Sequence, residues 1–194
     1  MPNYVMTFDI KSDWHIGSGK EGGAYADALC LKDNAGLPYI PGKSCKGLLR
    51  DAFQLAANSE WFAEEMINSF FGVEEREGQT QQGMLQISSA RLSDEEAHYI
   101  VSNNATKHLY RVLQSTAIDH QTGTAQNASL RSMEVAVPMQ LTATMRLNTS
   151  HPNFNTDLEQ QFYSWLSDVV CLISEFGGKR HRGLGQVTVT VKEA

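Results

Sequence analysis

The alternation of hydrophobic and polar residues predicts four β-strands. Residues 3–10 place every second residue on an apolar face, and residues 186–192 repeat the pattern with valines. A longer alternation over residues 133–147 predicts one long strand with Pro138 at an edge or a bulge. Residues 84–90 show a weaker pattern of the same period. These four strands are enough for one sheet.

Apolar residues at helical spacing predict three helices between the strands. Residues 44–57 and residues 59–71 each carry one apolar stripe. The third helix is predicted to begin at Thr156, which has the spacing of a capping box with Glu159, and to stop before the glycine pair at 177–178. Each helix should therefore bury one face.

In chain order the major elements are strand, helix, strand, strand, helix, strand. This is the ferredoxin-like βαββαβ arrangement, an α+β fold that many RNA-binding domains share. We predict a single domain over residues 1–194. The connections at 11–43, 72–83 and 92–132 are long, with a short strand predicted at 111–118, and long loops on a small sheet are usually functional or disordered.

Composition narrows the class of protein. The chain has 194 residues, 41% of them hydrophobic, which excludes a disordered or fibrous protein. No apolar run approaches the roughly 20 residues that span a bilayer, and no signal-like segment opens the chain, so we expect a soluble cytoplasmic protein with no membrane partner. Its net charge of −6 argues against nucleic-acid binding driven by overall charge. The three separated cysteines indicate neither a disulfide framework nor a thiolate zinc site.

The first candidate binding segment is residues 38–50. It carries three cations and a potential helix cap, namely Lys43, Lys46, Arg50 and Ser44. The N–H groups at a helix start attract phosphate, but an ordinary helix start with solvated cations explains the same residues equally well. A P-loop is disfavoured because five residues, not four, separate Gly36 from Gly42.

The second candidate segment is the glycine-rich loop at residues 177–185. Its potential phosphate-binding residues are Lys179, Arg180, Arg182, Gly183 and Gly185. Exposed N–H groups beside cations suit a phosphodiester chain. A helix C-cap accounts for Lys179 but not for Gly183 and Gly185, so we favour anion binding.

Other chemistries have little support in the sequence. The six histidines show no compact metal-ligand spacing, and no G-x-S-x-G motif occurs. A structural zinc site and a hydrolase triad are therefore not predicted.

Short motifs follow one another in a specific order along most of the chain. They are residues 14–19 (WHIGSG), 27–33 (DALCLKD), 37–44 (LPYIPGKS), 46–50 (KGLLR), 70–72 (FFG), 118–125 (IDHQTGTA), 134–135 (EV) and the glycine-rich loop. In this order they resemble the RAMP superfamily of CRISPR-associated proteins, and within it the repeated backbone subunit of type III effector complexes.

The resemblance implies a subunit that polymerises along a CRISPR guide RNA, beside further copies of itself and other subunits, and that also meets the target RNA. The residues it assigns to the guide backbone are His15, Lys43, Ser44, Lys46, Arg50 and the loop from Lys179 to Gly185. It also implies a thumb hairpin within residues 118–135 that inserts between guide and target and displaces one nucleotide at regular intervals.

Leu130 and Met133 are the candidate wedge residues of that thumb, because an apolar side chain can replace a lost stacking partner. Core packing is the alternative for both residues. It is the stronger one for Met133, which is in phase with the long predicted strand.

The resemblance further places a catalytic aspartate at Asp27, which would act alone or through Mg²⁺ or a similar divalent ion to activate a 2′-hydroxyl of the target. The alternative is a loop aspartate that hydrogen-bonds backbone. Asp33 is interpreted as a turn residue before Asn34-Ala35-Gly36. Lys43 and His120 depart from the usual family residues at their positions.

Three functions remain open at this point. The first is a guide-binding backbone subunit that also cleaves target RNA, a metal-dependent endoribonuclease. The second is a non-catalytic structural subunit with the same RNA contacts. The third is a ribonuclease that processes the guide precursor, with His15 as general acid or base.

Overall fold

A four-stranded antiparallel sheet forms the centre of the computed structural model, which describes residues 4–74 and 80–193. Its strands are β1 (Tyr4–Ile10), β4 (Leu85–Ile87), β7 (Gln140–Leu147) and β8 (Val187–Glu193). Their spatial order is β4-β7-β1-β8. The inward residues Met6, Phe8 and Ile10 of β1 are buried, which confirms the first predicted strand.

Helices α1 (Gly42–Asn58), α2 (Glu65–Phe71) and α4 (Thr156–Val169) contribute to the core that this sheet buries. Phe53 of α1 stacks on Phe162 of α4 with ring centroids 5.3 Å apart. A fully buried side chain of this size contributes about 1.5–3 kcal/mol through burial. In chain order, α1 lies between β1 and β4, and α4 lies between β7 and β8. The strands of the central sheet and these two helices therefore follow the predicted βαββαβ succession.

The prediction of one long strand over residues 133–147 is wrong. The chain instead forms β6 (Arg131–Ala136) and β7, which belong to different sheets. Pro138 lies at the break, where it has no N–H to continue a ladder. β6 pairs with β5 (Tyr110–Ser115), close to the strand predicted at 111–118, and the two form a separate hairpin.

The helix ends also differ from the predictions. Pro41, not Ser44, precedes α1, and Ser44 lies inside its first turn, so Ser44 does not cap the helix. The predicted helix at 59–71 is shortened to α2. The cap of α4 is Asn155, whose side chain accepts from the Leu158 N–H at 2.6 Å.

α4 also ends earlier than the glycine pair at 177–178. A 3-10 turn over Val170–Leu172 follows it, and the chain then runs extended beside the start of β8. The Val187 N–H donates to the Ser174 carbonyl at 2.9 Å. The glycine-rich loop is therefore not a helix C-cap.

Two of the long connections contain structure that the patterns did not predict. Helix α3 (Asp94–Ser102) has a capping box formed by Ser93 and Glu96. Strands β2 (Gly72–Glu74) and β3 (Thr80–Gln82) form a short pair. Among the described residues, no helix combines the length and the apolar character needed to cross a bilayer.

Candidate nucleic-acid interface

The start of α1, the glycine-rich loop and the segment around His15 line one groove of about 430 Å³, which we call the central groove. Residues from all three segments contribute to it, including His15, Gly17, Ser44, Gly47, Gly178 and Arg180. Two segments that the sequence singled out separately thus meet at one surface. Arg180 and Asp51 are the two charged side chains that line the groove, and the exposed cations Lys179 and Arg182 lie beside it in the chain.

The glycines of the loop permit close packing of backbone. At Gly177, whose φ is +77°, an added Cβ would lie 2.5 Å from the His15 carbonyl oxygen. The Gly178 N–H donates to that same oxygen at 2.8 Å. The loop is therefore fitted directly onto His15.

Gly185 also has a packing role, which corrects its predicted role as a phosphate ligand. Its N–H donates to the Asp13 carbonyl at 2.7 Å, so this donor is already used. An added Cβ would lie 2.0 Å from the Phe176 carbonyl oxygen. Gly183 is exposed and ends the 3-10 turn Arg180–Arg182 with φ of +81°.

The six predicted cations do not share one surface. Lys179, Arg180 and Arg182 are exposed in the glycine-rich loop, and Arg180 lines the central groove. Lys43, Lys46 and Arg50 have the same spacing as Ser44, Gly47 and Asp51 but are offset by one residue, which turns their row by about 100° around α1, away from the groove.

Lys46 is partly buried on that face, and its ammonium donates to the Leu85 carbonyl at 3.0 Å. Burial, and secondarily Arg50, lowers the pKa of Lys46. Part of its hydrogen-bonding capacity therefore serves the contact between α1 and β4.

His15 is buried, with 8% of its surface exposed. Its Nδ1 lies 2.7 Å from the Glu134 carbonyl oxygen. Because a carbonyl only accepts, Nδ1 carries the proton in this contact, which leaves Nε2 for a ligand in the groove.

Asp27 is exposed and is hydrogen-bonded to the hairpin. Its Oδ2 accepts from the Ser132 N–H at 2.7 Å and from the Ser132 hydroxyl at 3.3 Å. The Asp27 N–H donates to the Ser132 carbonyl at 3.0 Å. The carboxylate is thus held beside β6 rather than turned onto its own loop.

A resident Mg²⁺ site does not fit these residues. In residues 4–74 and 80–193, no three His, Cys, Asp or Glu side chains gather as a metal-binding group. Mg²⁺ requires near-octahedral oxygen ligation, and Asp27 supplies a single carboxylate that already accepts from Ser132.

The interpretation of Asp33 as a turn residue is confirmed. Its Oδ1 accepts from the N–H groups of Ala35 and Leu37, both at 2.9 Å. Its Oδ2 pairs with Arg91 at 2.9 Å. Both carboxylate oxygens of Asp33 therefore have partners that stabilise this turn and its contact with Arg91.

The sequence patterns missed a buried carboxylate at Glu134, which is 2% exposed. It accepts from the Lys32 ammonium at 2.8 Å and from the Cys30 N–H at 2.9 Å. The ammonium of Lys32 also lies 3.8 Å from the centre of the Tyr110 ring. The alternation of residues places Glu134 on the polar face of the predicted strand. In the structure, the packing of the hairpin buries Glu134.

The two wedge candidates differ in exposure. Met133 is 8% exposed and packs with Val135 and Leu184, so its assignment to the wedge is wrong. Its neighbours belong to the hairpin and the glycine-rich loop. Leu130 is 67% exposed directly before β6 and remains available for the predicted role.

A family model described as the RAMP superfamily matches residues 7–188, which is nearly the whole chain. The chain belongs to the RAMP superfamily. This membership accounts for the mixed α+β fold and for the order of the motifs that the sequence presented.

One curated relative is the CRISPR system Cmr endoribonuclease Cmr4 of Pyrococcus furiosus. It is 29% identical over 92 residues, which are 47% of this chain. The matched segment spans 30% of the relative's length. The likeness in sequence is therefore partial.

Chains of solved CRISPR complexes share the fold over almost their full length. A chain of the type III-B Cmr-beta complex bound to cognate target RNA has a TM-score of 0.69 at 11% identity and covers 97% of this chain and 96% of its own. A chain of the same complex in its apo state has a TM-score of 0.71 at 12% identity, with 99% and 97% covered. A chain of a type IV-B CRISPR complex has a TM-score of 0.63 at 16% identity, with 98% and 90% covered. At these identities the similarity shows the fold.

Proposed function

We propose that this RAMP protein is a guide-RNA-binding backbone subunit of a type III CRISPR effector complex and that it cleaves bound target RNA with Asp27. The observation that carries the proposal is the attachment of Asp27 to Ser132 of the hairpin, two residues from the exposed Leu130 that precedes β6. The name of the Pyrococcus relative, an endoribonuclease, supports the same activity.

The guide backbone would lie in the central groove. Arg180 supplies charge, Ser44 supplies a hydroxyl, and Nε2 of His15 accepts from a ribose hydroxyl. Lys179 and Arg182 extend the positive surface beyond the groove. Such contacts fix position along RNA and carry no sequence information, as a subunit that accepts any guide requires.

The target strand would pass the hairpin on the side of Asp27. Leu130 inserts between neighbouring bases and replaces a lost stacking partner, which frees one nucleotide. A displaced nucleotide can bring its 2′-oxygen in line with the next phosphate, and fixed geometry of this kind lowers the barrier to reaction.

Cleavage then needs one base at the 2′-hydroxyl. The Asp27 carboxylate takes the hydroxyl proton, the 2′-oxygen bonds to phosphorus, and the bond from phosphorus to the 5′-oxygen breaks. The leaving oxygen takes a proton from water. The products are a 2′,3′-cyclic phosphate and a 5′-hydroxyl.

The partners that follow are the guide RNA, the target RNA, further copies of the chain and other subunits of the complex. The RNA-bound and apo Cmr-beta structures, whose chains share this fold, support an assembly of this kind. Regularly spaced cuts are expected because each copy would place one Asp27 along the target.

The direct test is cleavage of labelled target RNA by the assembled complex, comparing wild type with Asp27→Asn. The asparagine keeps an oxygen to accept from the Ser132 N–H but cannot take the proton. We expect normal RNA occupancy and a loss of cleavage of roughly 10²–10⁴-fold. Asp94→Asn, at the exposed start of α3, is the matched control and should cleave normally.

Three results would redirect the proposal. Cleavage that survives Asp27→Asn moves the reacting base elsewhere. Binding of guide and target by a wild-type complex that never cuts leaves the structural subunit. Cutting of a guide precursor that is lost in His15→Ala favours the processing ribonuclease. Parallel reactions with Mg²⁺ and with EDTA test the metal dependence that the family resemblance implies.

A further inference from the structure

Tyr25 presents an aromatic ring to solvent beside Asp27. The side chain is 53% exposed, although a ring of this size is usually more deeply buried in a folded protein. Its neighbour Ala26 is completely buried. The chain therefore buries one small side chain and leaves the large aromatic one outside.

The backbone around Tyr25 is fixed by a tight turn. The Gly22 N–H donates to the Ala26 carbonyl at 2.8 Å, and the Tyr25 N–H donates to the Gly22 carbonyl at 3.2 Å. A Cβ at Gly22 would lie 2.8 Å from a methyl carbon of Leu29 and 3.1 Å from the Ala26 carbonyl oxygen. The ring is thus carried on a closed and closely packed turn.

The charge of the Glu134 carboxylate acts on Tyr25. Burial and then this carboxylate raise the pKa of Tyr25. Glu134 itself is held by Lys32 and Cys30. The Tyr25 side chain nevertheless remains 53% exposed, so its ring is accessible to a ligand.

Asp27 and Ala28 run parallel to β6. Asp27 bonds to Ser132, and Ala28 forms a parallel bridge with Met133. Two residues of a strand span about 7 Å. Leu130 lies two residues before Ser132 and Tyr25 two residues before Asp27, so two exposed side chains that could contact bases lie within two residues of the Asp27–Ser132 contact.

We propose that Tyr25 is a stacking platform for one unpaired base of the target RNA beside Asp27. This inference rests on the proposed function and extends it. An exposed tyrosine suits any base, because every base has a π-face. The ring would hold the nucleotide next to the cleaved bond, so Tyr25 is a positioning residue.

The first test measures stacking without cleavage. The complex is loaded with target RNA that carries 2′-deoxyribose at each cut position, so that it cannot be cleaved. A single 2-aminopurine replaces one base, and a set of RNAs places it at each position of one interval between cuts. Stacking quenches 2-aminopurine, so one position should brighten in Tyr25→Ala and stay quenched in Tyr25→Phe and Tyr25→Trp. Tyr99→Ala is the control. It removes a different exposed tyrosine, which lies on α3, and should leave the fluorescence at every position unchanged.

The second test measures cleavage by a double-substitution cycle. Removing the base at that same position should slow wild-type cleavage on the order of tenfold, within the range that base stacking on an aromatic ring contributes. Tyr25→Ala should slow cleavage of intact target similarly. The two changes together should cost no more than either alone, because each removes the same contact.

The outcomes separate this inference from the proposed function. A complex that binds target but shows no position sensitive to Tyr25→Ala overturns the platform alone. Loss of cleavage in Tyr25→Phe as well as Tyr25→Ala would assign the residue to its hydroxyl and also overturn the platform. Failure of the wild-type complex to bind target RNA would overturn both proposals.

Discussion

Glu134 shows how one residue organises the candidate site. Its carboxylate and its carbonyl together meet Lys32, Cys30 and His15, which come from a segment about a hundred positions earlier in the chain. A buried carboxylate is tolerated only when it is paired and hydrogen-bonded, and here both oxygens have partners. The same residue therefore joins the central groove to the hairpin.

The environment of Glu134 also determines which cysteines can react. Burial and the Glu134 carboxylate raise the pKa of Cys30 to about 12, and burial raises the pKa of Cys45 to about 11. A thiol reacts through its thiolate, and a raised pKa leaves very little thiolate at pH 8. Cys171 is exposed.

We therefore expect iodoacetamide at pH 8 to label Cys171 alone in the folded protein, and all three cysteines after unfolding in urea. Peptide mass spectrometry gives the site of each label. Rapid labelling of Cys30 under native conditions would show that the segment around Glu134 opens readily.

At the scale of elements, the hairpin of β5 and β6 is attached to the rest of the fold at its base. The backbones of Trp14 and Ala136 exchange two hydrogen bonds, of 3.0 and 2.8 Å. Arg111 of β5 pairs with Asp13, which is 8% exposed and follows β1. These contacts determine where the hairpin, and hence Leu130, points.

Arg111→Ala should loosen this attachment, because it leaves the Asp13 carboxylate buried without its cation. We expect a loss of about 1–3 kcal/mol in the free energy of unfolding. Urea denaturation measures it, and hydrogen exchange should quicken in residues 110–136 more than in the central sheet.

Arg131→Ala removes an exposed cation from the same hairpin and is the control, expected within about 0.5 kcal/mol of wild type. The double change of Asp13 and Arg111 to alanine should cost less than the sum of the single changes. Strict additivity would show that the pair does not hold the hairpin.

At the scale of the whole molecule, an acidic protein concentrates cations on selected surfaces. The net charge is −6, yet the glycine-rich loop exposes Lys179, Arg180 and Arg182 together. General attraction to RNA is therefore weak, and binding should depend on local contacts that release counterions.

Arg180→Ala should reduce the slope of log K against log salt for guide RNA by about 0.7, the value for one contact to a single strand. Filter binding over a range of salt concentrations measures the slope. Arg146→Ala is the control, since Arg146 bonds to Gln86 on the central sheet. An equal change in both variants would mean that the groove has no special role.

Local patterns predicted the parts of the fold that bury one regular face. β1, β8 and the bodies of α1 and α4 follow directly from periodicity. α3 was missed because it has no buried residue and therefore lacks a strong apolar stripe. The division of residues 133–147 into β6 and β7 was not predicted, because apolar and polar residues alternate in the same phase on both sides of Pro138.

The sequence by itself determined the main strands and helices, the family and the two basic segments, because each depends on residues close together in the chain. The tertiary structure alone decided which of those residues meet. It brought His15 to the glycine-rich loop, buried Met133 and Glu134, and fixed Asp27 beside the hairpin. Contacts between distant segments depend on how whole elements pack, and no local period encodes that packing.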